Sequence, residues 1–597
     1  MEEDKDKDLA KRIEERYKRC LDHTKDWRTE AAKSFAYVAG HQWTDEEQST
    51  LEEQHRAPVV FNKSEVFVGA VTGLEALNRM EVKFIQRAPG QASAYELMNS
   101  AVRYVNDDAD AEDHHSHAFR DLVTAGMGWT ETYLQHDTNP DGDLRIERVD
   151  PMEMFWDERA TQRCLSDARW VMRIKQGLSK EEIEDRWPDK EVEPSDAFMH
   201  EPFITPHDAT SAWKYQNDQS RRQGKKGHTL VQYQWFDVEH VMLVATPQGK
   251  QEISSSDYKK LPDPKPRAVK VPKRRYKQAF LTGRTVLEED DLPTQTGFTL
   301  CVMTGKHDRN RNVWFGLMRS LFDPQDWTNK LFSQILHILN SNAKGGLLAE
   351  RDAFEDIRQA EDSWARTDAI TWARPGAIAG GKLKDKTPPQ YPQGMDRLLQ
   401  LAISMFPEVS GMNLELLGLA EKVQAGVLEA QRKQAGMTVL AWAFDGIRKY
   451  RKMHGRVLAD YIRQYLSDGR LIRVGGQDQM QYIPLLRDQM SIEYDLIVDE
   501  APSSPNQKER VFAILTQLLP VLIDAGLPVI PEVLEYSPLP QALVEKWKAA
   551  MQQPNPQAQM MQQLEMAGKQ ATAKEKDSKA TLNLAKAQSE QMKAITG

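Results

Sequence analysis

The sequence predicts an α+β protein, mainly helical, with a β-rich section set between helical ones. Three observations lead there. Apolar residues recur at helical spacing in several long stretches, most clearly from Trp327 to Leu339. The runs WTETYLQHD and LRIERVDP alternate in polarity on either side of Asp141-Gly142, a β-hairpin pattern. The chain has 597 residues, 40% hydrophobic and 28% charged, which is more than one core fills, so several domains are expected.

In chain order, Lys5 to Phe35 reads as a charged amphipathic helix with Leu9, Ile13, Tyr17, Leu21 and Thr24 on one face. Gly40 breaks it, and Thr44 to Glu47 forms a new cap. Asn62 to Leu77 reads as a buried helix whose Gly69, Ala70 and Gly73 allow close contact. A strand is expected at Glu81–Arg87, helices at Ala92–Asp107 and His114–Ala125, then the hairpin, a short strand and a helix capped by Ser179. Pro188 to Lys226 is polar and broken by Pro and Gly, the composition of a long loop or linker. Strands return at TLVQYQWFDVEHVMLVAT, followed by a basic, proline-bearing run from Lys259 to Arg284 and by GFTLCVMTG.

The stretch Asn312–Gly346 organises the second half of the chain. Asp323 is expected to cap a helix, with Pro324 at its first position and Asp326 in its first turn. Trp327, Leu331, Ile335 and Leu339 form its apolar stripe, widened by Phe332, Leu336 and Ile338, and Gly345-Gly346 ends it. The polar face (Thr328, Asn329, Ser333, Gln334, His337) carries almost no charge. Such a helix packs on several neighbours, either within this chain or as copies of itself in a ring. Further on, Ala353–Trp364 reads as helix, and SMFPEVSGMNLELLG as a loop or broken helix around Pro407 and Gly411. Val423–Leu466 reads as a nearly continuous helix on the order of 60 Å long. Gly469 stops it, strands LIRVGG and SIEYDLIVDEAP come next, and Asn506–Ala525 is helical. Beyond Pro538 a Gln/Met/Ala/Lys tail has helix propensity but a thin apolar stripe, so it is either disordered or helical only in an oligomer.

The net charge of -10 argues against DNA wrapping by the whole surface. Cys20, Cys164 and Cys301 lie too far apart for a zinc motif, and an odd count makes a poor disulfide framework, so synthesis in a reducing cytoplasm is expected. The start, MEEDKDKDLAKRIEERY, is a charged helix rather than a signal peptide, and no apolar run is long enough to span a bilayer. Asp137 to Asp143 begins like a calcium loop, but Arg148 stands where a glutamate is needed. His114 and His117 share a helix face without a further ligand, and Asp499-Glu500 has no partner motif. There is no phosphate-cradling glycine motif and no nucleophile triad. No catalytic residue, metal or cofactor is therefore expected. The basic run suits either a phosphate backbone or an acidic partner, or else a solvated hairpin edge where Lys and Pro discourage aggregation.

Several short motifs, in their order along the chain, resemble the portal proteins of tailed bacteriophages, of the P22-like podovirus type. They are Trp43 in GHQW, Pro58–Asn62 in PVVFN, Gly73–Arg79 in GLEALNR, Gly126–Glu131 in GMGWTE, Val149–Phe155 in VDPMEMF with Asp157, and Asp167–Val171 in DARWV. Gly316 with Asp323-Pro324-Gln325, and Tyr494–Pro502 in YDLIVDEAP, complete the set, which covers most of residues 27–530. The resemblance implies a homo-oligomeric ring, usually dodecameric, at one capsid vertex, with double-stranded DNA passing non-specifically through its axis. Its partners are the terminase large subunit, the head-tail adaptor, and capsid and scaffolding proteins, with no membrane. It further implies synthesis in the host bacterial cytoplasm and residence in the virion.

On that scheme residues 1–225 are an N-terminal wing, 226–315 a β-rich clip, 316–346 a stem helix, 347–535 wing and crown, and 536–597 a crown or barrel extension or a disordered tail. The resemblance assigns stem packing to Trp327, Leu331, Ile335 and Leu339. It assigns clip contact with partner or DNA to Lys265, Arg267, Lys270, Lys273, Arg274, Arg275 and Lys277. A channel loop is read at Pro407, Glu408, Gly411 and Asn413. Two other readings compete: a metal-dependent nucleic-acid-processing enzyme with an acidic site around Asp495, Asp499 and Glu500, and an unrelated helical scaffold or adaptor.

Overall fold

The computed structural model describes residues 2–54, 56–86, 92–137, 139–140, 142–190, 197–198, 228–246, 249–260, 266–344, 347–364, 370–385, 394–412, 438–465, 471–474, 481–484 and 494–500. The apolar spacing of the N-terminus produces one long helix, α1 (Glu2–Ala39). Its first half buries Leu9, Ile13, Tyr17 and Cys20 against Phe155, Trp170, Met172 and Tyr233. Its second half places Trp27, Ala31 and Tyr37 in the main core. Between them lies Arg28, fully buried, donating to the carbonyls of Met152 (2.7 Å) and Met154, with its guanidinium 3.9 Å from the Phe155 ring. Carbonyls and an aromatic face stand in for a carboxylate there, and burial pushes the guanidinium down to about 10.

Thr44 closes a capping box with Glu47 at the start of α2 (Asp45–Glu53), and Asn62 caps α3 (Lys63–Leu77). Then come β1 (Met80–Gln86), α4 (Ala92–Asp108) and α5 (Ala111–Ala125). The hairpin β2 (Met127–Gln135) and β3 (Asp143–Val149) turns at Gly142, whose N–H donates to Asn139 O at 2.9 Å. Two glycines in the GMG stretch join helix to sheet. Gly126 ends α5 at φ +95, and a Cβ on Gly128 would lie 1.8 Å from the Ala118 carbonyl oxygen, so α5 rests directly on β2.

β4 (Met154–Trp156), β5 (Trp170–Leu178), β6 (His228–Thr246), β8 (Ala268–Thr282) and β9 (Thr285–Asp291) form an antiparallel sheet in that order, with β7 (Gly249–Ser254) beside the outer part of β6. The Ser179 box caps α6 (Lys180–Glu184), and α7 (Ser255–Lys260) sits beyond β7. The β-rich section thus shares one sheet with the N-terminal segment through β5 and β6. β10 (Leu300–Thr304) returns to pair with β2. Arg173 ties the two sheets together, binding Glu131 at 2.7 Å and Glu153 at 2.9 Å. Most of the expected linker at 188–226, the expected Asn506–Ala525 helix and the 536–597 tail lie outside the described residues.

After β11 (Lys306–Asp308) and β12 (Val313–Phe315) comes α8 (Met318–Lys344). It begins at Met318 rather than at Asp323, so Pro324 lies inside the helix. Leu317, Met318 and Leu321 are buried in the main core, and the Leu317 N–H donates to Val123 O at 2.7 Å. That burial starts the helix before the cap signal. Beyond it are β13 (Leu347–Ala349), α9 (Ile357–Trp364), β14 (Leu383–Asp385), α10 (Met395–Ser410) and α11 (Ala441–Tyr465). α9 begins four residues later than expected, because Phe354 forms a β-bridge to Ala373 instead. The part of the long expected helix from 423 to 437 lies outside the described residues. β15 (Leu471–Val474) pairs with β16 (Gln481–Pro484), and β17 (Tyr494–Glu500) pairs with β1, over 400 residues away in sequence.

α11 contributes a buried polar cluster to the core. Arg451 binds Glu112 through both guanidinium nitrogens (2.6 and 2.8 Å), and Thr132 Oγ1 lies 3.1 Å from His454 Nε2. His115 is fully buried against His454 and Tyr450. Burial lowers His115 to about 4 and His454 well below its usual value, so both rings are neutral at pH 7.

Candidate functional site

The polar side of α8 points inward. Gln325, Thr328, Asn329 and Ser333 are buried, whereas Trp327 is 60% exposed and Leu339 is 53% exposed. The buried amides have specific partners. Gln325 Nε2 donates to Phe61 O at 2.6 Å, and Gln325 Oε1 accepts from the backbone N–H groups of Lys63 (3.2 Å) and Ser64 (3.3 Å). Asn329 Nδ2 donates to Gln42 Oε1 at 2.6 Å, and Ser333 Oγ donates to Ala57 O at 2.8 Å. The segment 57–64 thus fixes the rotation of α8 about its axis. Of the expected stripe, Ile335 is buried and Leu331 half-buried, while Trp327 and Leu339 face outward.

Beside the exposed stripe lies α10. Together the helices line an open groove of about 470 Å³, with Trp327 and Leu331 on one wall and Leu398, Leu401, Met405 and Val409 on the other. Leu398 and Leu401 are exposed. Pro407 and Glu408, expected in a loop, lie inside α10. The break falls at Gly411 alone, which caps the helix at φ +69, and Asn413 lies outside the described residues. Buried Phe406, stacked on Phe67 (ring centroids 5.8 Å apart), anchors this turn of α10 and carries the helix past Pro407. The α10 stripe was present in the sequence at helical spacing and was not singled out there.

The middle of the basic run lies on β8, which pairs with β6 over its whole length. Its cations meet acids on the neighbouring strands. Arg275 binds Asp291 (2.6 Å) and Glu239 (3.3 Å), Lys273 binds Glu252, and Lys277 lies 3.7 Å from Asp237. Both acids hold the Arg275 guanidinium above its usual range. Arg274 lies over the Phe236 ring at 4.5 Å. Arg267 and Lys270, toward the far end, are exposed and form no ion pair among the described residues, and Lys265 lies outside them. The ribbon is therefore close to charge-balanced along most of its length, which weakens any grip on a phosphate backbone.

Asp495 and Asp499 lie on β17, opposite Ile85 and Glu81 of β1. Among the described residues, no group of three His, Cys, Asp or Glu side chains is arranged to hold a metal. No described helix is long and apolar enough to cross a membrane.

Comparison with known proteins decides what this architecture is for. The phage P22-like portal protein family matches residues 14–595. The chain belongs to that family. It is also 18% identical over 570 residues to a portal protein of Helicobacter pylori bacteriophage KHP30, covering 91% of this chain and 84% of that protein. The family role is that of the phage portal: an oligomeric ring in the capsid through which DNA is packaged, and on which terminase docks. Portal proteins are structural components rather than enzymes.

Proposed function

We propose that this portal protein assembles its ring through the outward face of α8, with Trp327, Leu331 and Leu339 packing between neighbouring copies, usually twelve in number, while Ile335 packs within its own chain. One observation carries the reading: α8 buries its amides and exposes its tryptophan, an arrangement that leaves apolar surface for a neighbour to cover. The test is assembly of purified full-length protein with Trp327→Ala and Leu339→Ala, followed by mass photometry. The expected result is loss of rings with the monomer still folded; rings at wild-type concentration overturn the reading.

Within this frame, residues 1–225 act as wing, 226–315 as clip, 316–346 as stem, 347–535 as wing and crown, and 536–597 as a crown or barrel extension or a disordered tail. The β6–β8 ribbon is the docking element for terminase and then for the head-tail adaptor. Its internal charge pairing favours protein contact over DNA contact, centred on Arg267 and Lys270. Reversing both to Glu is expected to reduce terminase pull-down while leaving ring assembly unchanged, and unchanged pull-down refutes the assignment. The turn at Gly411 faces the DNA channel. Synthesis takes place in the host cytoplasm, and scaffolding protein assists assembly.

A further inference from the structure

α8 separates two apolar features of this chain. The groove lies along its first half. Beyond its far end the chain forms a small platform in which β13 pairs with β14, Phe354 bridges Ala373, and the Arg374 N–H donates to Ala353 O at 2.9 Å. Gly380 N–H to Gly376 O (2.8 Å) and Lys382 N–H to Ala377 O (3.1 Å) close its turn. This ordered backbone holds Ile370, Trp372 and Ile378 out in water at 74%, 75% and 76% exposure, the three most exposed large apolar side chains among the described residues. Carried on one hydrogen-bonded platform, they are together termed a knob, whose backbone loses little conformational freedom on docking.

Ile370, Trp372 and Ile378 are not among the residues that line the groove. Trp327 is 17 residues from the end of α8, or about 25 Å at the helical rise. No described residue covers either surface. A knob and a socket at different places on the same chain make a head-to-tail contact, which closes into a ring when the rotation between copies allows. Charge points the same way. Among the described residues, Asp323 is the one charged residue lining the groove, and it is exposed. Arg374, two residues from Trp372, is exposed and forms no ion pair within 4 Å among the described residues, although its charge also acts on Asp352.

We propose that the Ile370–Trp372–Ile378 knob of one copy seats in the α8–α10 groove of the next copy, with Arg374 placed against Asp323. This rests on the ring reading above and adds to it the identity of the occupant.

Cysteine cross-linking of the full-length chain tests it. Cys20, Cys164 and Cys301 are buried, and burial pushes their thiols up to about 11, 11 and 12, so they stay unreactive. The double variant Trp372→Cys with Leu401→Cys, oxidised with copper-phenanthroline, is expected to give a ladder of covalent multimers. A mixture of the two single variants is expected to give covalent dimers only. Ile378→Cys with Leu398→Cys provides a second pair. Rings seen by electron microscopy without cross-links from either pair overturn the proposal and leave the ring reading standing. Cross-linking within a monomer also overturns it, because the contact is then internal. Absence of rings at every concentration overturns both.

Discussion

Trp327→Ala separates folding from assembly. A tryptophan side chain offers about 200 Å². With 60% of it exposed in the single chain, about 120 Å² remains for a neighbour to cover, worth about 3 kcal/mol per interface at roughly 25 cal/mol per Å². The buried remainder contributes about 2 kcal/mol to the monomer. The substitution should therefore raise the concentration for half-assembly on the order of a hundredfold while lowering the monomer melting temperature by only a few degrees. Gln325→Leu should do the reverse. It strands the Ser64 N–H and leaves the Lys63 N–H and the Phe61 carbonyl only their bond to each other (2.7 Å), costing the monomer about 1–3 kcal/mol without touching the outward face. Mass photometry across a dilution series, alongside thermal melting of the monomer, reads both quantities. Assembly of Trp327→Ala within about threefold of wild type refutes the reasoning.

Other perturbations have equally definite outcomes. Gly128→Ala drives a methyl group into the Ala118 carbonyl and should destabilise by more than about 3 kcal/mol, seen as loss of soluble protein; a normal melting curve sinks the α5–β2 contact. Glu112→Gln leaves the buried Arg451 without its carboxylate and should cost about 3–5 kcal/mol in a denaturant titration, whereas a change within error means that water or another group serves Arg451. The folded-state values of His115 and His454 are depressed, so the unfolded chain binds more protons. Stability from this pair is complete above about pH 6.5 and falls as pH drops toward about 4. The slope should approach about 1.4 kcal/mol per pH unit for each ring, and His115→Gln should flatten it in melts taken between those values; parallel curves for variant and wild type count against the assignment. Arg275→Ala, at an exposed charge ladder, should change stability by less than about 1 kcal/mol.

Local chemistry was legible in the sequence. The Thr44 and Ser179 caps and the Gly142 turn each depend on residues within a few positions, and each formed where its pattern stood. The apolar stripe of α8 was legible too, but its direction was not. Periodicity says which residues share a face and leaves open which face is covered. The covering segment, residues 57–64, lies more than 260 positions from Gln325 in sequence. A still longer separation hid the β1–β17 pairing, whereas the acids that neutralise Lys273 and Arg275 of β8 lie only 16 to 36 positions away on β6, β7 and β9 and were hidden by strand register. Pro324 and Pro407 read as boundaries because proline removes a helical hydrogen bond. Both lie inside helices, where core burial by Leu321 and Phe406 outweighs that loss.

Native mass spectrometry of the purified full-length protein, with electron microscopy of the same sample, tests the central claim most directly. The account predicts rings with a central hole, roughly a dozen copies each, dissociating to folded monomers in Trp327→Ala. A protein that stays monomeric at every concentration and cleaves DNA when a divalent metal is added contradicts it, and makes the acidic residues of β17 the place to look.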